Sequence, residues 1–324
     1  MELFPAIPFD QWRDTKTTVH LFCQVVGKIR LAASARRNHW WNVPFHVTGR
    51  GLTTRPMGLV DGNPIFTVDF DFVDHRLIAS TVDGRSVSFP LAGHSVASFY
   101  RSVLEALAAL GVTVNIADPS PFGLAEDHPP FPEDTRHAAY DPIWMTRAWQ
   151  VLSQVNLVLE EFAAHFSGKA SPVHLFWHSL DLAHTRFSDR RIDQPAADLV
   201  TREAYSREVI SFGFWFGDAT GGEAAFYSYT APEPDGLAEQ PLRPAVASWV
   251  PSGAGRMALL RYDDARAAPD PRATVLAFLD SAYHAGAGLA GWDVDDLACP
   301  GGVTTDPSLP ADRLTPDKVG GTAV

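Results

Sequence analysis

The sequence predicts an α+β fold in which antiparallel sheets carry helices on one face. Three observations lead there. The run Phe66-Thr-Val-Asp-Phe-Asp-Phe-Val-Asp-His75 alternates apolar with polar residues, and successive side chains of an extended strand point to opposite faces. Asp83-Gly84 between two strand-like runs is a hairpin signal, which makes those strands antiparallel. Four segments with helical spacing of apolar residues bracket the groups of strands, and each supplies an apolar stripe for a sheet to bury.

The first helix opens at Asp10, read as its N-cap, and places Trp12, Thr15, Val19, Phe22, Val26 and Ile29 at alternating spacings of three and four. Strand-like runs follow at His39 to Thr48, Ile65 to Val82 and Arg85 to Leu91, the middle one bent near Asp74-His75. The second helix starts near Ser95, sets Val96, Phe99, Val103, Leu104 and Leu107 along one face and stops at Gly111. Asp141-Pro142, a capping residue followed by proline at the first helical position, opens the third helix, whose stripe runs from Ala148 to Phe166 and ends at Gly168. Strands are then expected at Val173 to Thr185, Val209 to Phe216 and Ala224 to Thr230, with one or two more between Ala245 and Tyr262. Asp270-Pro271 repeats the cap-and-proline device for a fourth helix carrying Val275, Phe278, Leu279 and Ala282.

Each half therefore reads helix, strands, helix. An internal duplication about a pseudo-two-fold axis is one explanation, supported by the pair Gln24-Val25 and Gln154-Val155 and by a loose likeness of His39 to Arg50 with His174 to Arg186. Simple alternation of helices and strands is the other. The expected boundaries are a first half over 1–117, a proline-rich linker over 118–140, a second half over 141–298 and a mobile tail over 299–324 that lacks apolar periodicity.

With 46% hydrophobic and 20% charged residues, the chain of 324 residues can bury a substantial core. Its net charge of −12 opposes a phosphate backbone and no dense basic run offsets it, so nucleic acid is not expected as a partner. The two cysteines, Cys23 and Cys299, suggest neither a disulfide framework nor a cysteine zinc site. No apolar run is long enough for a membrane span and no signal-peptide pattern is seen, which makes a cytoplasmic location the expectation.

Strand parity organises the candidate site residues. Over His39 to Arg50 it puts Trp40, Asn42, His46, Thr48 and Arg50 on one face; pairing with the strand that carries Asp69, Asp71 and His75 would join imidazoles, carboxylates and a guanidinium. The alternative is the wet side of an antiparallel sheet. Trp40 favours a cavity, since an indole is seldom left in open water. Over Val173 to Arg186, His174, His178 and His184 share a face, opposite Trp177, Ser179 and Asp181. Three imidazoles suggest a metal, but His174 and His178 would lie about 13 Å apart along a strand, too far to share one ion. Asp141 is accounted for by capping alone, and Arg136, His137 and Tyr140 by a polar loop. There is no phosphate-cradling glycine loop, dinucleotide fingerprint, nucleophile elbow or zinc-binding His-Glu-x-x-His helix, and Gly217 to Gly222 reads as a flexible turn.

Several motifs together resemble an uncharacterised bacterial family known as domain of unknown function 5996. They are Asn38-His-Trp-Trp41, Arg50-Gly-Leu-Thr-Thr54, Phe70-Asp-Phe-Val-Asp-His75, Arg136-His-Ala-Ala-Tyr-Asp141, Ser171-Pro-Val-His174, Asp181-Leu-Ala183 with Thr185-Arg-Phe-Ser188, and Glu203-Ala-Tyr-Ser206. The resemblance covers about Phe4 to Trp292 and implies no activity. It marks His39, Arg50, Asp71, Asp74, His75, His137, His174, Asp181 and Arg186 as motif positions, whereas His46, His178 and His184 depart from the family pattern.

The leading expectation is a small polar or anionic ligand bound in a cavity between the halves, with catalysis open and no cofactor identified. Arg50 and Arg186 would clamp the anion, Asp71 with His75 or His174 would handle protons, and His39, Trp40, Asp69, Trp177 and Asp181 would complete the site. Parity already opposes Trp177 and Asp181 to His174, so these assignments cannot all hold. The alternatives are a protein-interaction module or homodimer, and a metal-dependent enzyme with histidine and carboxylate ligands.

Overall fold

The structure, a computed structural model, describes residues 2–58, 62–124, 128–218, 222–253 and 255–303. Helix α1 (Phe9–Ala33) buries Trp12, Val19, Phe22, Val26 and Ile29, the stripe read from their spacing. Its cap position is held by Pro8 without a side-chain bond, so Asp10 lies in the first turn instead. The other three long helices start where capping chemistry places them. Ser95 accepts from Ser98 N–H ahead of α2 (Val96–Ala109), Asp141 from Ile143 and Trp144 N–H ahead of α3 (Pro142–Ala163), and Asp270 from Ala273 N–H ahead of a helix over Pro271–Leu289.

Five strands, β1 (His46–Thr48), β2 (Gly51–Thr53), β3 (Phe66–Asp71), β4 (Arg76–Thr81) and β5 (Ser86–Pro90), pair in sequence order as an antiparallel meander. The second sheet contains β6 (His174–Phe176), β7 (Asp181–Arg191), β8 (Arg207–Gly217), β9 (Glu223–Ala231), β10 (Ser248–Ser252) and β11 (Gly255–Arg261), in the order β10-β11-β9-β8-β7-β6. Two short helices, α4 (Leu199–Ala204) and α5 (Tyr262–Arg266), precede the last long one, α6 (Pro271–Leu289). The fold is thus α+β with antiparallel sheets. Helix–strands–helix order recurs in both parts of the chain, but the sheets differ in strand number and the order alone does not establish a duplication.

Register shows which face each sheet buries. Phe70 pairs with Leu77 and Leu77 with Phe89, so all three side chains emerge on one face, where Phe99 of α2 meets Phe70 and Phe89. On the second sheet Phe162 of α3 packs edge-on against Phe212, and Gly286 of α6 lies so close to Thr230 and Ile210 that a β-carbon there would overlap the threonine hydroxyl. Helix α1 joins the two layers. Its Phe22 stacks on Phe99 with ring centroids 3.9 Å apart, while its Trp12 meets Phe216 of β8 at 4.9 Å. The sheets themselves touch where Phe45 and Leu175 exchange both backbone hydrogen bonds at 2.8 Å.

Two long strands expected from sequence are interrupted. Between His39 and Thr48 the chain first makes a tight turn over Asn38–Trp40, with His39 and Trp40 in left-handed conformation (φ 55° and 59°), and only His46–Thr48 is strand. Between Val173 and Thr185 a turn with Leu180 at φ 53° separates β6 from β7, which then continues to Arg191. Either turn resets the alternation of faces, so one parity cannot run through each segment. The bend near Asp74-His75 is present, with His75 at φ 52° between β3 and β4. The described residues of 118–140 pack on the protein at two points: Phe131 is fully buried, and Gln24 both donates to the Phe122 carbonyl and accepts from its N–H. Of the tail, Cys299 to Val303 is described, Cys299 N–H reaching the His165 carbonyl at 3.0 Å, and 304–324 lies outside the described residues. So do 219–221 of the glycine-rich turn after β8. Among the described residues no helix is long and apolar enough to cross a membrane.

Candidate functional site

The second sheet presents its other face to a cavity of about 560 Å³. Asp181, Ala183, Thr185 and Phe187 of β7 line it, beside Ser211 and Trp215 of β8 and Tyr227 and Tyr229 of β9. Their partners of opposite parity, such as Phe212, Phe214 and Phe226, fill the helix-side core. A flap borders the cavity. It combines the turn that carries His39, Trp40 and Trp41 with α4, which Asp198 caps by accepting from Val200 and Thr201 N–H. Trp40 Nε1 donates to the Val200 carbonyl at 3.0 Å, and His39 N–H donates to Glu203 Oε1 at 2.9 Å. Phe122 and Leu31 complete the rim; with Val200 they are among the exposed large apolar side chains of the protein.

Hydroxyls and one carboxylate form the polar floor. Asp181, 9% exposed, accepts from Ser179 at Oδ1 and from Tyr227 at Oδ2. Tyr229 and Tyr205 hydroxyls lie 3.0 Å apart, as do those of Thr185 and Ser211. Burial, and then the charge on Asp181, raise Tyr227 well above the ordinary phenol range, so it stays protonated and able to donate. Burial also lowers His178 despite the attraction of Asp181. His39 is lowered by burial, its Nδ1 meeting the Ala204 carbonyl at 3.2 Å and its Nε2 facing the Lys169 ammonium at 2.6 Å. Glycine makes the arrangement possible at two points. A β-carbon on Gly27 would overlap the Trp177 ring, and one on Gly213 would strike the Tyr227 hydroxyl.

The expected site residues separate into distinct places. His39, Trp40, Trp177 and Asp181 line the cavity together. Asp71, Arg50 and His75 gather instead at the β3–β4 turn. Asp71 Oδ1 accepts from Val73 and Asp74 N–H at 2.9 and 3.0 Å, and Arg50 Nε reaches its Oδ2 at 2.8 Å. Burial raises this carboxyl, but the N–H of Asp74, the Arg50 guanidinium and the N–H of Val73 outweigh it and leave it below the ordinary value. His75 Nδ1 meets the Tyr140 hydroxyl at 2.9 Å, and burial lowers its pKa against the pull of Asp71 and Asp74. Asp69 is half-buried on the outer face of the first sheet, where the Thr67 hydroxyl donates to it at 3.2 Å.

Arg186 and His174 are corrections of another kind. Arg186 points to the helix side, only 2% exposed, its Nη2 donating to the Phe162 carbonyl at 2.7 Å. Its guanidinium carbon lies 3.8 Å from the Phe162 ring centroid and 4.4 Å from that of Tyr283. Burial brings its pKa to about 10, which keeps it cationic at neutral pH, and this aromatic cage takes the place of an anion. His174 is fully buried beside His46 and Phe176, its pKa pushed well down by burial and by neighbouring His46, His184 and Arg30. An anion clamp of Arg50 with Arg186 is therefore not assembled, although the cavity does take its lining from both parts of the chain, Lys28 to Val43 from the first and Phe176 to Leu259 from the second. Among the described residues no group of three His, Cys, Asp or Glu side chains could hold a metal ion.

The wall residues Tyr227 and Tyr229 carried a legible signal, two tyrosines at strand spacing, but their importance depends on lying across from Asp181 and Ser211. Trp215 pairs with Asp181 in the β7–β8 register, a long-range match that local spacing does not reveal.

No curated protein and no solved structure matches the chain. The model of a family of unknown function (DUF5996) matches residues 4–299, a span that includes both sheets, the flap and the whole cavity lining, and the chain belongs to that family.

Proposed function

We propose that the protein binds a small molecule in the cavity on the open face of the second sheet. The observation that carries this is the concave space itself: about 560 Å³ lined by Trp40, Trp41, Trp177, Trp215, Tyr227 and Tyr229, with one carboxylate and a few hydroxyls placed at the floor. Ligand sites have this character, a concave and mostly apolar space of roughly 300–1,000 Å³ in which few polar groups fix orientation. Catalysis on the bound molecule remains part of the proposal only through Asp181 and Tyr227, the hydrogen-bonded pair at that floor. A ligand screen read by thermal shift and tryptophan fluorescence tests the site, because four indoles line it. Thr185→Phe fills the floor, and folded variant should lose the hits. Hits that bind it as tightly as the parent would place the site elsewhere.

A further inference from the structure

Resting on the reading of this cavity as a ligand site, we propose that its ligand carries a positively charged group, a protonated amine or a guanidinium, seated on Asp181 among aromatic rings. Lys28 and Asp181 are the lysine and carboxylate of the lining. Lys28 is already engaged, its Nζ 2.8 Å from the Asp118 carbonyl and 3.2 Å from Asp118 Oδ2. Asp181 has no ion-pair partner among the described residues, and its carboxylate accepts from the hydroxyls of Ser179 and Tyr227. Hydroxyls orient a carboxylate without neutralising it, and a buried charge calls for an opposite one.

The nearby imidazoles do not supply that charge. His178 makes no ion pair with Asp181 and burial disfavours its protonation more than Asp181 favours it, while the Nε2 of His39 is taken up by Lys169. The walls are suited to a cation as well. Trp177, Trp215 and Tyr227 line the same space, where desolvation strengthens the attraction of aromatic rings for an ammonium or guanidinium. An anionic ligand would meet this carboxylate with repulsion and would find neither Arg50 nor Arg186 in the lining.

Three probes of one size separate the charge from the cavity: 2-phenylethylamine, 2-phenylethanol and phenylacetate, titrated calorimetrically into the full chain at neutral pH. The amine is expected to bind about tenfold tighter than the alcohol, and the acid weakest. Asp181→Asn should remove the preference for the amine over the alcohol. The comparison of probes on the parent protein stands even where the variant does not fold. If the alcohol or the acid binds the parent as tightly as the amine, the cavity stands and the cationic assignment is wrong. If none of the three binds, both the site and the assignment fall.

Discussion

At the scale of single residues, the acidic alternation that makes β3 conspicuous serves the turn after it. Asp71 is 3% exposed and satisfies two backbone N–H groups as well as Arg50. Asp71→Asn leaves a shape-matched side chain that cannot accept all of these bonds, and is expected to cost about 1–3 kcal/mol, measured by urea denaturation. Because the folded pKa is depressed, the carboxylate's contribution is fully present above the unfolded value of about 4 and is lost as pH falls through the folded one. The difference between parent and variant should therefore shrink in acid; a difference constant from neutral pH to pH 2 would contradict the bonding described. Gly213 affords a second test. Adding a methyl there overlaps both the Tyr227 hydroxyl that donates to Asp181 and the Leu182 carbonyl of β7, so Gly213→Ala should weaken ligand binding more than Tyr227→Phe, which removes the hydroxyl without moving ring or strand. Equal effects would mean that the position of ring and strand does not matter.

At the scale of elements, what was legible followed local chemistry and what was missed followed tertiary contacts. Asp141-Pro142 and Asp270-Pro271 identify helix starts because cap and proline act within one turn. The break at Asp74-His75 was likewise visible. The turn at Asn38–Trp40 was not, since His39 and Trp40 adopt left-handed backbone that their types do not announce and that α4 holds in place through Glu203 and Val200. Helix α4 itself spans six residues, too few to show a stripe. Parity read across the hidden turns led to one merged site, while the true cavity is formed by register between β7, β8 and β9. The flap's dependence on its cap can be measured. Asp198→Ala should fray α4, free Trp40 from the Val200 carbonyl and raise quenching of tryptophan fluorescence by acrylamide, with little change in the global unfolding midpoint. Unchanged quenching would show that α4 does not hold the lid.

At the scale of the whole molecule, the two sheets share one core. Phe4 N–H donates to Gln154 Oε1 of α3 at 2.8 Å, Trp12 packs on Phe216, and Phe45 bridges to Leu175, so the first part of the chain is tied to α3 once and to the second sheet twice. A fragment over 141–298 would lose all three partners and is expected not to fold, whereas the full chain should unfold in a single transition by both far-ultraviolet circular dichroism and tryptophan fluorescence. The same core makes the protein sensitive to acid. Burial lowers His20 and His184 to about 3 and His174 well below its ordinary value, and the groups facing them are mostly cationic or imidazole: Lys16 and His178 at His20, Arg186 at His184, His46 and Arg30 at His174. In the unfolded chain these histidines take up protons near pH 6.5, which the folded protein refuses. Their stabilisation is thus present above about pH 6.5 and is lost as pH falls toward the folded values, at up to about 1.4 kcal/mol per pH unit for each group. His174→Phe, an apolar replacement beside Phe176, should reduce the acid slope by one group's share, up to about 1.4 kcal/mol per pH unit, read from urea midpoints between pH 6.5 and 4.5. A parent protein whose stability is flat across that interval would show that these imidazoles are not held neutral in the core.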